Sequence, residues 1–175
     1  IPLGGVPKRF RFIADGRVSG IPFSVILFAL LLAGCYLILN RHKIGRHIYA
    51  VGANEYVAQL SGIAVNKIKF FAYTMCGFLA SIASIYLAAR MAGGGPRIGA
   101  GYELDSITAI VIGGVSLSGG IGSIIAGFGG VLILCIFNNI MNLLDVNPFY
   151  QIVLKGILLI VAVSFYKKSG QKKYT

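Results

Sequence analysis

Charged residues and tryptophan are what this sequence has least of. Among 175 residues, 12% are charged, 57% are hydrophobic, five are acidic and none is tryptophan. A soluble domain carries about 25% charged residues, so this chain has too little polar surface to cover a water-facing globule. The composition therefore excludes an ordinary soluble enzyme or binding domain and indicates a membrane protein.

Acidic residues are scarce beside basic ones, which gives a formal net charge of +11. Such an excess also occurs in nucleic-acid-binding domains. Here, however, the cations lie at the ends of apolar runs, where the positive-inside rule places them. They fall mainly between two runs or after the last one: Arg41, Lys43, Arg46, Lys67, Lys69, Lys167, Lys168, Lys172 and Lys173. We therefore expect a lipid bilayer as a partner, and no nucleic acid.

Cysteine is also rare, and Cys35, Cys76 and Cys135 fall in separate apolar runs. They lack the spacing of a metal site, so we expect them to pack as small core residues. His42 and His47 are too isolated from carboxylates to bind a metal, and no nucleophile, base and acid stand together. The glycine runs do not form a phosphate-binding loop. The sequence thus predicts no metal, no cofactor and no enzyme activity in this chain.

Long stretches without charge are the main positive feature. Residues 18–40, 70–89 and 106–144 contain no Asp, Glu, Lys or Arg. About 20 apolar residues cross a ~30 Å hydrocarbon core as a helix, and only helices satisfy every backbone amide within one segment. The sequence therefore predicts an all-α, polytopic transmembrane helical bundle, with residues 1–175 as a single transmembrane domain.

The apolar pattern also predicts where the elements lie. Long helices are expected at about 21–39, 67–89, 123–144 and 149–166, with loops at 1–17 and 90–105. The apolar stretch 106–118 would make about 20 Å of helix, which is short for a span. If the cationic segments 40–69 and 167–175 are both cytoplasmic, this stretch must still cross, as a sub-length membrane helix.

One compact helix signal lies within the polar connection 40–69. Asn54 is a good N-cap, Glu55 suits the positive first turn, and Gly62 can end the helix after Ser61. So short a helix is unstable alone in water. We therefore expect it to rest on the membrane domain or on a partner.

Three amides lie deep in an apolar run: Asn138, Asn139 and Asn142. Intramembrane amides need partners, so they make interhelical hydrogen bonds or line a watered path. Glu103 and Asp105 either cap the short helix or stand at the outer mouth of such a path. The candidate residues for a translocation path are Tyr102, Glu103, Asp105, Asn138, Asn139 and Asn142.

Lys155 lies near the start of the last predicted helix. A long basic side chain close to a helix end can snorkel to the interface, and this is the expectation here. The alternative is a buried ion pair with Asp145, Glu103 or Asp105.

Three ordered segments carry a family resemblance. Residues 45–55 with 58–63 resemble the cytoplasmic loop of ribose/galactose/xylose-type permeases of bacterial ABC importers. Residues 101–105 with 112–117 and 119–120 are similar to a second signature of that family. Residues 138–144 with 150–151 and 155–156 are similar to a third. Permeases of this family are about twice as long as this chain. The resemblance therefore implies the C-terminal half of a longer permease.

The resemblance also implies a function. It predicts a multi-pass subunit in the bacterial cytoplasmic (inner) membrane that moves a monosaccharide. It further predicts a cytoplasmic ABC ATPase that uses the ATP, an extracytoplasmic sugar-binding protein and a second permease protomer, identical or different. The short helix would be a cytoplasmic coupling helix that contacts the ATPase through Arg46, Asn54, Glu55, Tyr56, Gln59, Leu60, Ser61 and Gly62.

Two other functions stay open at this point. One is an ABC permease for another solute, such as a nucleoside, an autoinducer or a branched-chain amino acid. The other is a secondary transporter or channel, which would be favoured by carboxylates in mid-membrane. The sequence has none between the helix ends, which disfavours that alternative.

Overall fold

A computed structural model describes residues 8–18, 20–95 and 98–171. The helices are α1 Lys8–Asp15, α2 Phe23–Arg41, α3 Lys43–Ala53, α4 Glu55–Leu60, α5 Val65–Met91, α6 Tyr102–Ile112, α7 Ile124–Leu143 and α8 Pro148–Gln171. Strands β1 Arg17–Val18 and β2 Ile21–Pro22 pair antiparallel. The chain divides into two compact units, Ile1–Ala100 with α1–α5 and Gly101–Thr175 with α6–α8.

Within the described residues, three helices are long and apolar enough to cross a membrane by length and composition, namely α2, α5 and α7. At 1.5 Å per residue, α2 is about 28 Å long and α5 about 40 Å, against a hydrocarbon core of about 30 Å. The described apolar part of α8, Pro148–Ser164, is shorter than these. The prediction of an all-α polytopic membrane protein is confirmed.

In the first unit, α3 packs against both α2 and α5, and α1 also packs against both. The rings of Phe12 in α1 and Phe23 in α2 lie 6.1 Å apart between centroids. The predicted loop over residues 1–17 is therefore wrong for the described part, which forms α1 and β1. Its apolar residues are too few to stand out in hydropathy, and the helix is stabilised by packing on its neighbours.

The polar connection 40–69 contains two helices, α3 and α4, where one was predicted. His42 caps α3, because its Nδ1 accepts a hydrogen bond from the Ile44 amide at 3.3 Å. A Cβ added to Gly45 would overlap the main chain of Leu39, so the first turn of α3 lies directly against the end of α2. Glycine at this position looks like a helix breaker in the sequence, which is why α3 was missed.

In the second unit, α6 and α7 pack against each other with glycine at the contact. A Cβ at Gly130 would overlap the carbonyl oxygen of Ala109, and one at Gly113 would overlap that of Ala126. From residue 109 to residue 113 of α6 the contact on α7 moves back from residue 130 to residue 126, so the two helices are antiparallel. Small residues on α7, Ala126 and Gly130, therefore allow close packing against α6 within this chain.

The predicted short apolar helix is present but is shifted. It was predicted within 106–118, whereas α6 runs from Tyr102 to Ile112, 11 residues or about 16 Å. Gly113 is its C-cap, and Gly114 follows with a left-handed φ of +83°. Glu103 and Asp105 consequently lie inside the first turns of α6 and not before it. Its crossing of the membrane stays a prediction.

The expectation of buried cysteines is wrong for two of the three. Cys76 and Cys135 are exposed, Cys35 is half-buried, and all three are free thiols. On helices that lie in lipid an apolar side chain gains little from burial in protein, so apolar character alone does not place it in the core.

Candidate functional site

The α4 helix has a well-defined cap at each end. The Asn54 side-chain oxygen accepts a hydrogen bond from the Val57 amide at 3.1 Å. At the other end, the Ile63 amide donates to the Ala58 carbonyl at 3.1 Å and the Gly62 amide to the Gln59 carbonyl at 3.0 Å. Gly62 has the left-handed φ of +79° that this closing arrangement requires. The predicted caps are confirmed, although α4 itself ends at Leu60 rather than Ser61.

Two contacts fix α4 to the rest of the first unit. Ala58 is buried, with 3% of its surface accessible. Glu55 and Lys69 form an ion pair of 2.6 Å between Oε1 and Nζ, with about half of each side chain exposed. An exposed pair of this kind contributes at most about 1 kcal/mol, so Ala58 burial and the end caps are the firmer restraints.

The outer face of α4 is apolar and open. Tyr56 is 70% exposed and Leu60 71%, and the intervening Val57 is exposed as well. Glu55 and Gln59 are also exposed, as expected from the sequence. Tyr56 and Leu60 lie one turn apart on one face. Because α4 lies outside the three candidate spans, this surface is not explained by contact with lipid tails, and it has the character of a docking patch.

The remaining predicted coupling residues differ in their position relative to this patch. Ser61 donates its hydroxyl to the Val57 carbonyl at 2.9 Å, which closes the last turn. Arg46 is exposed but belongs to α3, so it stands apart from α4 in the chain. Val57 was missed in the sequence analysis, where its spacing of three residues to Leu60 was the available signal.

A second set of interacting polar side chains lies on α6, α7 and α8. Lys155 Nζ is 2.8 Å from Asp105 Oδ2, with 19% and 21% of the side chains exposed. The snorkelling expectation for Lys155 is therefore wrong, and the ion-pair alternative is the one observed. Asp105 is available because α6 starts at Tyr102, which places this carboxylate on the helix that contacts α8.

Gln151 joins α8 to the end of α7. Its Nε2 donates to Asn142 Oδ1 at 3.1 Å and to the Val146 carbonyl at 2.8 Å. Asn142 therefore makes an interhelical hydrogen bond, one of the two roles left open for it. Gln151 was not singled out from the sequence as a partner, and spacing alone carries no signal for a contact between two helices.

The other path candidates differ in their surroundings. Glu103 Oε2 accepts from the Gly101 amide at 3.1 Å, which is a capping role. Tyr102 and Asn139 are exposed. The side-chain oxygen of Asn138 is buried and has no hydrogen-bond partner among the described residues. Tyr102 and Asn139 are thus open to solvent, Glu103 caps its own helix, and Asn138 has a buried oxygen without a described partner. Asp105 and Asn142 are occupied by helix contacts.

Over residues 8–18, 20–95 and 98–171, no group of three or more His, Cys, Asp and Glu is placed to hold a metal ion.

Comparison with known proteins places the chain in a family. Residues 4–163 match the family described as the permease component of branched-chain amino acid transport systems, and the chain belongs to it.

Among curated relatives, the ribose import permease protein of Escherichia coli is 44% identical over 154 residues, which is 88% of this chain and 48% of that protein. The ribose import permease protein of Bacillus subtilis is 40% identical over 171 residues, 97% of this chain and 53% of that protein. The xylose transport system permease protein of Haemophilus influenzae is 43% identical over 154 residues, which is 88% of this chain and 41% of that protein. The chain spans about half the length of these relatives. No solved structure matches it.

Proposed function

We propose that this chain is part of the membrane-spanning permease subunit of an ATP-driven importer that carries a monosaccharide across the bacterial inner membrane. The observation that supports this most is α4, a short helix capped at both ends that presents Tyr56 and Leu60 outside the spans. An exposed apolar helix face is a common site for a protein partner. No covalent chemistry is assigned to the chain.

The choice of solute rests on the relatives. Their names specify ribose and xylose, and identities of 40–44% extend over nearly all of this chain. The family description, by contrast, names branched-chain amino acid transport. A permease for such amino acids is therefore the second candidate function, and uptake of the two solute classes distinguishes the two.

The partner of α4 in this proposal is the cytoplasmic ATPase. Tyr56, Leu60 and Gln59 would enter a cleft of that subunit, while Asn54 and Gly62 keep the helix formed before it docks. Preformed structure lowers the entropy cost of binding. ATP binds and is hydrolysed on the partner, so this chain needs no cofactor of its own.

The remaining partners follow from the same proposal. A second permease protomer, identical or different, would complete the membrane domain, and an extracytoplasmic sugar-binding protein would deliver the solute. Tyr102, Glu103, Asn138 and Asn139 are the candidates for polar contacts along the path, because their polar groups are not occupied by other helices. Asp105 and Asn142 would shape the path by holding the helices that form it.

The test introduces a charge into the α4 patch of the complete transporter. Leu60→Asp removes a 71% exposed apolar contact and leaves the membrane helices intact. Loss of a well-packed anchor residue at an interface costs about 2 kcal/mol or more, so ATPase binding should weaken at least thirtyfold. The measurements are ATPase co-purification with the permease and cellular uptake of labelled ribose, xylose and leucine.

Asn66→Asp is the matched control, since it adds the same charge at an exposed position in the first turn of α5. Glu55→Arg is a poorer choice because it also breaks the ion pair with Lys69. Both Leu60→Asp and the control should insert normally. Unchanged co-purification and uptake in Leu60→Asp would remove α4 as the coupling element. Uptake of leucine, and not of either sugar, would favour the second candidate.

A further inference from the structure

The connection between α2 and α5 carries positive charge that the described residues do not neutralise. Residues 40–69 contain one acidic residue, Glu55. That carboxylate is already paired with Lys69. Arg41, Lys43 and Lys67 are exposed, and none has a carboxylate partner within the described ranges. Their counter-charge must come from outside this part of the chain or from solvent ions.

The depth of these cations is set by the two spans. Arg41 is the last residue of α2, whose length of about 28 Å nearly equals the hydrocarbon core. Lys67 lies in the first turn of α5. This helix is about 10 Å longer than the core, so its ends extend beyond the hydrocarbon. Both cations are therefore expected at the level of the lipid headgroups.

Lys43 is held at the same level by backbone packing. The close approach of Gly45 to the main chain of Leu39 leaves no room for a side chain there. The first turn of α3 is therefore kept against the last turns of α2. Gly45 is buried, whereas Lys43 is exposed on another side of the helix. Arg46 lies on the same face as Lys43, one turn further along α3.

We propose that Arg41, Lys43 and Lys67 form a cationic edge that binds the phosphate groups of anionic phospholipids in the adjoining leaflet. The argument is charge complementarity at a fixed depth, since unpaired cations beside two span ends face a layer of lipid phosphates. The α4 patch has different chemistry, because its centre is Tyr56 and Leu60. The edge and the patch therefore suit different partners.

The expected size of the effect follows from the charge count. A basic residue near an anionic membrane surface contributes about a fivefold gain in association. Removal of two cations should lower the preference for anionic lipid by at least fivefold and up to about twenty-five-fold. The preference should also weaken as salt rises, because the Debye length falls from about 10 Å at 0.1 M to about 3 Å at 1 M.

The experiment uses the transporter that contains this chain, reconstituted in nanodiscs of phosphatidylcholine with 30% phosphatidylglycerol as the probe. Native mass spectrometry gives the ratio of the two lipids that remain bound. The variant is Lys43→Gln with Lys67→Gln. The matched control is Lys43→Arg with Lys67→Arg, which changes the same two exposed positions and keeps their charge.

The proposal expects phosphatidylglycerol retention to fall in the variant, to stay near the parent value in the control, and to fall in the parent at high salt. Equal losses in variant and control would mean that the charge at these two positions is not what retains the lipid, and the edge would be withdrawn. Unchanged lipid retention with weaker ATPase co-purification would assign the edge to the ATPase instead. If the double variant does not assemble, Lys43→Gln and Lys67→Gln are measured singly, and retention equal to the parent value in both would overturn the proposal. A salt-independent ratio in the parent would overturn it as well.

Discussion

The Lys155–Asp105 ion pair gives the most specific prediction for the second unit. The two atoms are 2.8 Å apart, and about a fifth of each side chain is exposed. Removing one partner of such a pair leaves the other charge in a poorly hydrated place. For buried pairs this costs about 3 to 5 kcal/mol. Lys155→Met should approach the lower end of that range, because Asp105 retains some exposure.

The assay is thermal unfolding of the purified chain in mild detergent, followed by circular dichroism. For a chain of this size, 1 kcal/mol corresponds to about 2 to 4 °C in Tm. Lys155→Met should therefore lower Tm by about 6 to 12 °C. Adding Asp105→Asn to it removes the unpaired charge and should restore most of the loss. Lys155→Arg keeps the pair and should change little.

Lys67→Met is the matched control, because Lys67 is exposed and makes no ion pair within the described residues. It should change stability by no more than about 0.5 kcal/mol. Two results would refute the reasoning. One is a Tm of Lys155→Met equal to that of the parent. The other is a double variant as unstable as Lys155→Met alone, which would show that the unpaired carboxylate is not the cause.

Two further predictions concern the backbone of the second unit. Gly130→Ala should lower stability by about 1 to 3 kcal/mol in the same thermal assay, because the added Cβ overlaps the Ala109 carbonyl. The control is Gly129→Ala, which has open space around it and should be neutral or slightly stabilising. Equal effects at the two positions would contradict the close approach of α6 and α7. Asp145→Gly should raise stability by about 0.5 to 1 kcal/mol, since Asp145 has a left-handed φ of +53° after α7. A lower Tm for that variant would argue against this backbone geometry.

The sequence by itself determined the class of protein and the local features. Long charge-free runs required helices in lipid, because only a helix pairs all backbone groups within one segment. The ends of α4 were predictable too, since Asn54 caps a helix through an amide three residues away and Gly62 accepts a left-handed φ. These interactions are local, so the order of residues is sufficient to specify them.

Only the tertiary structure decided which distant residues meet. Lys155 could have reached the interface or any of three carboxylates, and its pairing with Asp105 depends on how α8 packs on α6. Helix α1 was missed because it is stabilised by contacts with α2 and α5. Helix α3 has the same contacts, and it was missed because Gly45 looks like a helix breaker in the sequence. Gly45 and Gly130 look like weak points of a helix in the sequence. In the structure they are the positions where another backbone approaches too closely for any side chain, and that property depends on the neighbouring segment.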